Sequence, residues 1–214
     1  MTVFVALPWF FVREVPVEIE LVRRSQLCRG RQSESHNNPK PSPKVAILRI
    51  LHFCAGMQQG LLGRISRSSI MEYHAFGIVS EGKDAKYHYM ICGVQGTLPL
   101  PLRVPLYDCP CYQVTLHEVL STTRPKTIWT RELKFAGVSN TSTLYRRGIR
   151  VCTGTGIGAA LSTCLQSPHW FLIWIGSDQE KTFGPTISGL IHKHLGPERL
   201  ILWDSKQRGG RPDT

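Results

Sequence analysis

The sequence predicts an α/β protein with an antiparallel β part: a small N-terminal β-barrel-like half, then a truncated parallel-sheet half. Three observations predict it. Up to Gly96, short apolar segments are separated by glycine and charged turns. Beyond Trp129, apolar runs alternate with helix-like stretches, as in βαβ units. Between them in kind is Gly148-Ile-Arg-Val-Cys-Thr-Gly-Thr-Gly-Ile-Gly-Ala-Ala-Leu-Ser162, which reads as a strand, a glycine-rich turn and the first turn of a helix.

In chain order, Phe11 to Val22 alternates, with Val15, Val17, Ile19 and Leu21 on one side and Glu14, Glu18 and Glu20 on the other, the pattern of a half-buried strand. Residues 22–44 are polar and proline-rich, a flexible loop that cannot build a packed element. Strands are expected at Val45–Ala55, Gly60–Ser66, Tyr73–Ser80 and Tyr87–Val94, at a spacing that suits an antiparallel sheet or small barrel. Residues 97–128 carry Pro99, Pro101 and Pro105, which remove ladder donors, and read as an irregular insert. The domain division is then 1–96, 97–128 and 129–214.

In the last part, Gly148–Thr153, His169–Gly176 and Glu198–Asp204 are expected strands, and Ile157–Gln166 and Gly184–Leu195 expected helices. The inner runs are continuously apolar, as strands covered on both faces must be. Pro185 suits a first helical position, and Gly196-Pro197 stops the helix. Gly154, Gly156 and Ala159 satisfy G-x-G-x-x-G/A: a tight turn, a close backbone approach to a diphosphate, and close helix-on-strand packing. The parallel-sheet half therefore reads as nucleotide-binding. Asp178, just past the second strand, is placed to accept from a ribose 2′-hydroxyl, whereas Lys181 suits a 2′-phosphate, so NADPH and NADH both stay open. Such glycines and such an Asp also occur in βα turns that bind nothing.

The formal charge of +11, from 26 Lys and Arg against 15 Asp and Glu, favours anionic partners, but the basic residues are scattered and no nucleic-acid reader motif accompanies them. Seven cysteines without a regular framework fit reduced thiols and a cytoplasmic setting. Cys109-Pro110-Cys111 with His117 has no second ligand pair, so no metal site is expected. The apolar start, Met1 to Val12, is too short to span a bilayer.

Val151 to Leu161, followed by Gly210-Arg211-Pro212-Asp213, resembles the NAD(P)H-binding half of the ferredoxin reductase superfamily, in particular its ferric reductase and NADPH oxidase branch. Residues 129–214 look like the C-terminal region of fungal and plant reductase-like proteins that are joined to membrane spans or to adenylation modules of the peptide-synthetase type. The resemblance implies that Gly154, Thr155, Gly156 and Gly158 face the cofactor diphosphate and that Arg211 and Pro212 lie toward the nicotinamide. Glu72-Tyr-His-Ala-Phe-Gly-Ile78 stands where these reductases carry a His-Pro-Phe-Thr flavin signature, which implies FAD with His74 and Phe76 against it. Ala75 replaces the proline of that signature and Gly77 its hydroxyl residue.

The implied function is an oxidoreductase-like protein that moves a hydride or electrons between NAD(P)H and a flavin, of the kind found in fungal secondary metabolism. Its partners would be the dinucleotide and a redox protein, at a membrane through that partner or in the cytoplasm. No acid or base in the sequence identifies itself as catalytic. The family's last strand and Cys-Gly-Pro-like turn have no counterpart before Thr214, which makes an inactive shortened remnant or interaction module the alternative. A basic binder of anionic surfaces is a third reading.

Overall fold

In the computed structural model the residues described are 9–21, 45–51, 57–66, 73–82, 84–93, 120 and 123–212. The 22–44 loop, nearly all of the 97–128 insert ahead of its last residues, the Cys109/Cys111/His117 group and Glu72 lie outside them, as do most of the apolar start and Asp213. No helix among the described residues is long and apolar enough to cross a membrane.

Six strands form a closed antiparallel barrel: β1 (Val12–Leu21), β2 (Val45–Ile50), β3 (Leu61–Ser66), β4 (His74–Val79), β5 (His88–Gly93) and β6 (Thr127–Ala136), in the order β1-β2-β5-β4-β3-β6. The alternation of β1 places Val15 and Val17 inside and Glu14 and Glu18 outside. This strand pairs with β6 through Pro16 and with β2 from Val17 onward. Proline, which has no N–H to give, thus sits where β1 changes partners.

Closure depends on β6, which fills the gap between β1 and β3. The sequence reading starts the second half at Trp129. The structure instead gives Thr127–Ala136 to the barrel, because its pairing partners lie far upstream and local pattern does not show them.

The second sheet is parallel, with β7 (Gly148–Thr153), β8 (Trp170–Gly176) and β9 (Leu200–Asp204) in the order β7-β8-β9. Helix α1 (Ile157–Gln166) connects β7 to β8, and α2 (Gln179–His194) connects β8 to β9. The second helix is two pieces broken at Gly184 (φ 71°, ψ 178°), so Pro185 opens its second piece as the sequence predicts.

Two cores result. One fills the barrel with Val15, Val17, Ala46, Leu48, Ile50, Ile65, Ile78 and Met90. The other lies under the parallel sheet and joins Leu161, Leu172, Trp174, Phe183 and Ile187 to Val45, Ile47, Val79 and Ile91 from the outer wall of the barrel. Strand β2 is therefore apolar on both faces, since each face meets a core. The other face of the parallel sheet is open, with Ile149 and Val151 each 62% exposed and Ile201 42%.

The halves are also joined by polar contacts. The Ser162 hydroxyl on α1 donates to the Ile78 carbonyl (2.5 Å) and accepts from the Ser80 N–H (3.0 Å), while Gln166 Nε2 donates to the Ser80 carbonyl (3.0 Å). Glu81, beside β4, takes Lys193 (2.7 Å) and His194 at the end of α2, and these contacts, the Lys193 hydrogen bond foremost, hold its carboxyl below the usual range. Backbone meets backbone at Gly77. A Cβ there would stand 2.5 Å from the Gly158 carbonyl oxygen and 2.7 Å from Ala159 Cα. Gly77→Ala is expected to cost about 1–3 kcal/mol in chemical denaturation, because neither neighbour is a side chain that can swing away.

His88 is buried in the barrel wall with Nδ1 3.0 Å from the Ser80 hydroxyl. Burial, helped by the charge of Lys134, pushes its pKa below the ordinary value of 6.5. The stability contributed by neutral His88 is thus complete above the unfolded value and is lost as pH falls from about 6.5 through the lower folded one, at a slope of at most about 1.4 kcal/mol per pH unit. In denaturation followed across that window, His88→Gln should show a shallower acid loss than the parent protein.

Candidate functional site: the glycine turn at the carboxyl edge of the parallel sheet

Parallel strands in register bring their carboxyl ends to one edge, with Thr153 opposite Ile175 and Gly176 opposite Asp204. This is where α/β sheets of doubly wound type bind ligands. At the end of β7, Gly154–Gly156 form a single 3₁₀ turn that runs into α1. Gly154 has φ +50°, a left-handed conformation that glycine adopts without strain, and nothing lies within 4 Å of where its Cβ would be. Gly156 has ordinary helical angles, and a Cβ there would meet only Cys152 Cβ at 3.7 Å. Space outside the turn is therefore open. The first amides of α1 have no intrahelical acceptor and provide donors and positive potential for an anion.

The turn is fixed from below. Trp174 Nε1, on β8, donates to the Gly154 carbonyl (3.0 Å). The Thr155 methyl packs on β5 so closely that a Cβ on Gly93 would come within 2.6 Å of it. Thr155 thus anchors the turn to the barrel through its side chain, and its backbone is the part left for a ligand. Gly158 is buried against Ile91 and the wall at Gly77, so its glycine character serves the junction between the halves.

Asp178, at the end of β8, is itself left-handed (φ 48°, ψ 51°). Its N–H donates to Asp204 Oδ1 (3.2 Å), and its own Oδ2 receives Lys206 Nζ (2.5 Å). The sequence reading does not anticipate Lys206; no local signal joins a lysine after β9 to an acid after β8. Lys181 is exposed on α2. Past β9, the chain turns back so that Gly210 accepts from Trp203 Nε1 (3.0 Å) and Arg208 lies 4.5 Å over the Trp203 ring. Arg211 follows, exposed, and Pro212 after it is half-buried. A cleft of about 190 Å³ opens between α2 and β9, lined by Trp174, Gln179, Ile191, His192, Leu202 and Asp204.

The structure thus brings Gly154, Thr155, Gly156 and Asp178 to the ends of β7 and β8, with Asp204 and Lys206 of the third strand and its turn beside Asp178. His74 and Phe76 stand apart from these on β4 of the barrel: His74 is exposed, and Phe76 is half-buried with its ring packed on the barrel core. Cys92, Cys152 and Cys164 are free and buried; burial pushes the last two thiols up to about 12 and Cys92 higher still, so none is a ready nucleophile.

Comparison with known proteins follows this geometry. Residues 138–214 match the family described as adenylate-forming reductase 03009, C-terminal domain. No curated protein matches. Among solved structures, the ferredoxin NADP+ reductase from Neisseria gonorrhoeae with bound FAD and NADP is similar over 94% of this chain and 71% of its own, at 14% identity and a TM-score of 0.56. The ferredoxin-NADP+ reductase from Plasmodium falciparum with 2′P-AMP is similar over 94% and 74%, at 13% identity and 0.54. Phthalate dioxygenase reductase, a modular structure for electron transfer from pyridine nucleotides to [2Fe-2S], is similar over 90% of this chain and 51% of its own, at 8% identity and 0.54. The chain has the ferredoxin reductase-like fold, a six-stranded antiparallel barrel followed by a three-stranded parallel sheet with its helices.

Because the space around Gly156 is open, Gly156→Val is expected to fold with the parent far-ultraviolet spectrum and to keep the parent stability within about 1 kcal/mol in chemical denaturation, while closing the turn's backbone to a diphosphate. The added methyls occupy the surface a diphosphate must approach.

Proposed function

We propose that the chain is an oxidoreductase-like module that binds NAD(P)H at the Gly154–Gly156 turn and a flavin at the barrel. The left-handed Gly154, opening into free space at the start of α1, carries this reading. The backbone at Gly154, Thr155 and Gly156 would hold the diphosphate, with Gly158 keeping α1 seated behind them. Asp178 would take the ribose, with Lys206 at its carboxylate as a cation near any 2′-phosphate. Arg211 and Pro212 would lie toward the nicotinamide, and His74 and Phe76 toward the flavin. Nicotinamide and flavin, when bound, supply hydride chemistry that no side chain provides, and the protein contributes position and electrostatics. Neighbours in fold that hold FAD and NADP support the pair of cofactors. The adenylate-forming reductase match supports a reductase module. Fungal secondary metabolism, with a redox partner in the cytoplasm or at a membrane, is the setting that the sequence resemblance implies for it.

A second reading, a nucleotide-binding module without turnover, is favoured by Gly77. The hydroxyl residue that the resemblance implies at this position would need room that the Gly158 backbone fills. The two readings separate on simple measurements. A yellow preparation, or one that quenches added FAD fluorescence and also binds NADPH, supports the first. NADPH binding in a colourless protein that ignores FAD supports the second. Salt-sensitive retention on anionic surfaces, unchanged by Gly156→Val and without nucleotide binding, would remove both in favour of a basic surface binder.

A further inference from the structure

We propose that two copies of this chain pack the open faces of their parallel sheets together with strands running in opposite directions, so that Arg146 and Arg147 of each reach the glycine turn of the other. Strands laid in the order β7-β8-β9 with right-handed crossovers carry both connecting helices to one side, and α1 and α2 accordingly share one core on the barrel side. Among the described residues no helix covers the other side. There the register sets Ile149 beside Phe171, Val151 beside Ile173, and Ile173 beside Ile201. The alternate residues that point to this side in all three strands include no charged side chain. Parallel sheets are covered on both faces almost without exception, and a contiguous apolar patch marks a surface that something contacts.

Size and charge select a second copy as the cover. The face is flat, three strands about 4.8 Å apart with a rise of about 3.3 Å per residue, and so spans about 15 by 20 Å. An identical face meets these demands, since two sheets stack about 10 Å apart with interdigitating side chains. With a net charge of +11, copies repel over most of their surface, and an uncharged face is where they can approach. Its area falls short of the roughly 800 Å² per partner of a standard interface, which puts the dimer in the micromolar range. Charge also sets the orientation. Arg146 and Arg147 are exposed at the amino end of the face, and among the described residues no carboxylate is paired with them. Strands running the same way would stack these arginines on their own copies, whereas opposite runs carry them to the carboxyl edge of the partner. At that edge they add positive charge to an anion site, a step that rests on the diphosphate reading above.

Sedimentation equilibrium of the full chain over about 1–100 μM should show monomer and dimer in exchange. Val151 is exposed, so Val151→Lys should fold as the parent does and raise the dimer dissociation constant about tenfold or more, because the dimer would then bury two unpaired ammonium groups. Val138→Lys changes an exposed valine on the 3₁₀ turn ahead of β7 and should leave association unchanged. Inorganic pyrophosphate should tighten the parent dimer severalfold. Arg146→Gln combined with Arg147→Gln should abolish that tightening and leave the ligand-free dimer as it was. A parent that stays monomeric overturns the proposal, and so does a dimer indifferent to Val151→Lys. Monomers that sediment with phosphatidylcholine vesicles, and lose this in Val151→Lys, would assign the face to lipid instead. A ligand-free dimer that the two glutamines strengthen has its strands running the same way, which overturns the shared site. So does a dimer that ignores pyrophosphate although the Val151→Lys monomer binds it. Pyrophosphate bound by neither removes the glycine-turn reading and leaves the dimer standing.

Discussion

The contact on which the rest of the structure depends is the seating of α1 against β4. At Gly77 and Gly158 the two halves meet with no side chain between them, and on the next turn the Ser162 hydroxyl bridges Ile78 and Ser80. Buried polar backbone at that junction would otherwise go without partners. The same helix begins at the glycine turn, so the position of the candidate site is inherited from the packing of the barrel. Trp174 and Thr155 tighten the arrangement from the sheet and from β5. A helix start held from three sides keeps its free amides pointed at one place, which is what binding an anion with backbone donors requires.

Much of the fold is legible in the sequence because burial is periodic. The alternation in β1 follows from one covered face. The unbroken apolar run of β8, read from sequence as covered on both faces, belongs to a strand with one face buried and the other only partly covered, on a sheet face that is open at Ile149, Val151 and Ile201. What is not legible is pairing across long separations. Strand β6 has ordinary strand composition, and nothing in Thr127–Ala136 says that it joins β1 and β3 instead of the sheet that follows it. The double burial of β2 likewise depends on a second core that the local sequence does not reveal.

The site divides the same way. The glycines after β7 are visible because a left-handed turn restricts residue type, and Gly154 meets that demand. The glycine at 158 and the threonine at 155 are in the same motif for a different reason, the close fit of the halves. Asp178 is visible as an acid after a strand, whereas its pairing with Lys206 comes from the parallel register of β8 and β9.

The closing strand also sets the order of events during synthesis. Because β1 begins the barrel and β6 ends it, the cylinder cannot shut until residues just ahead of the glycine turn have left the ribosome. Until then β1 and β3 each keep an unpaired edge, a template for association with other chains. Pairings of such long sequence separation are slow to form, since the loop must close before the contacts reward it. The parallel sheet, made of local βα units, then follows within a short further length of chain, and its own outer core needs β2, β4 and β5 already in place. The nascent protein thus passes from an open, association-prone sheet to a closed barrel with the parallel sheet beside it between β6 and β9, and a molecule interrupted before β6 has neither barrel nor site.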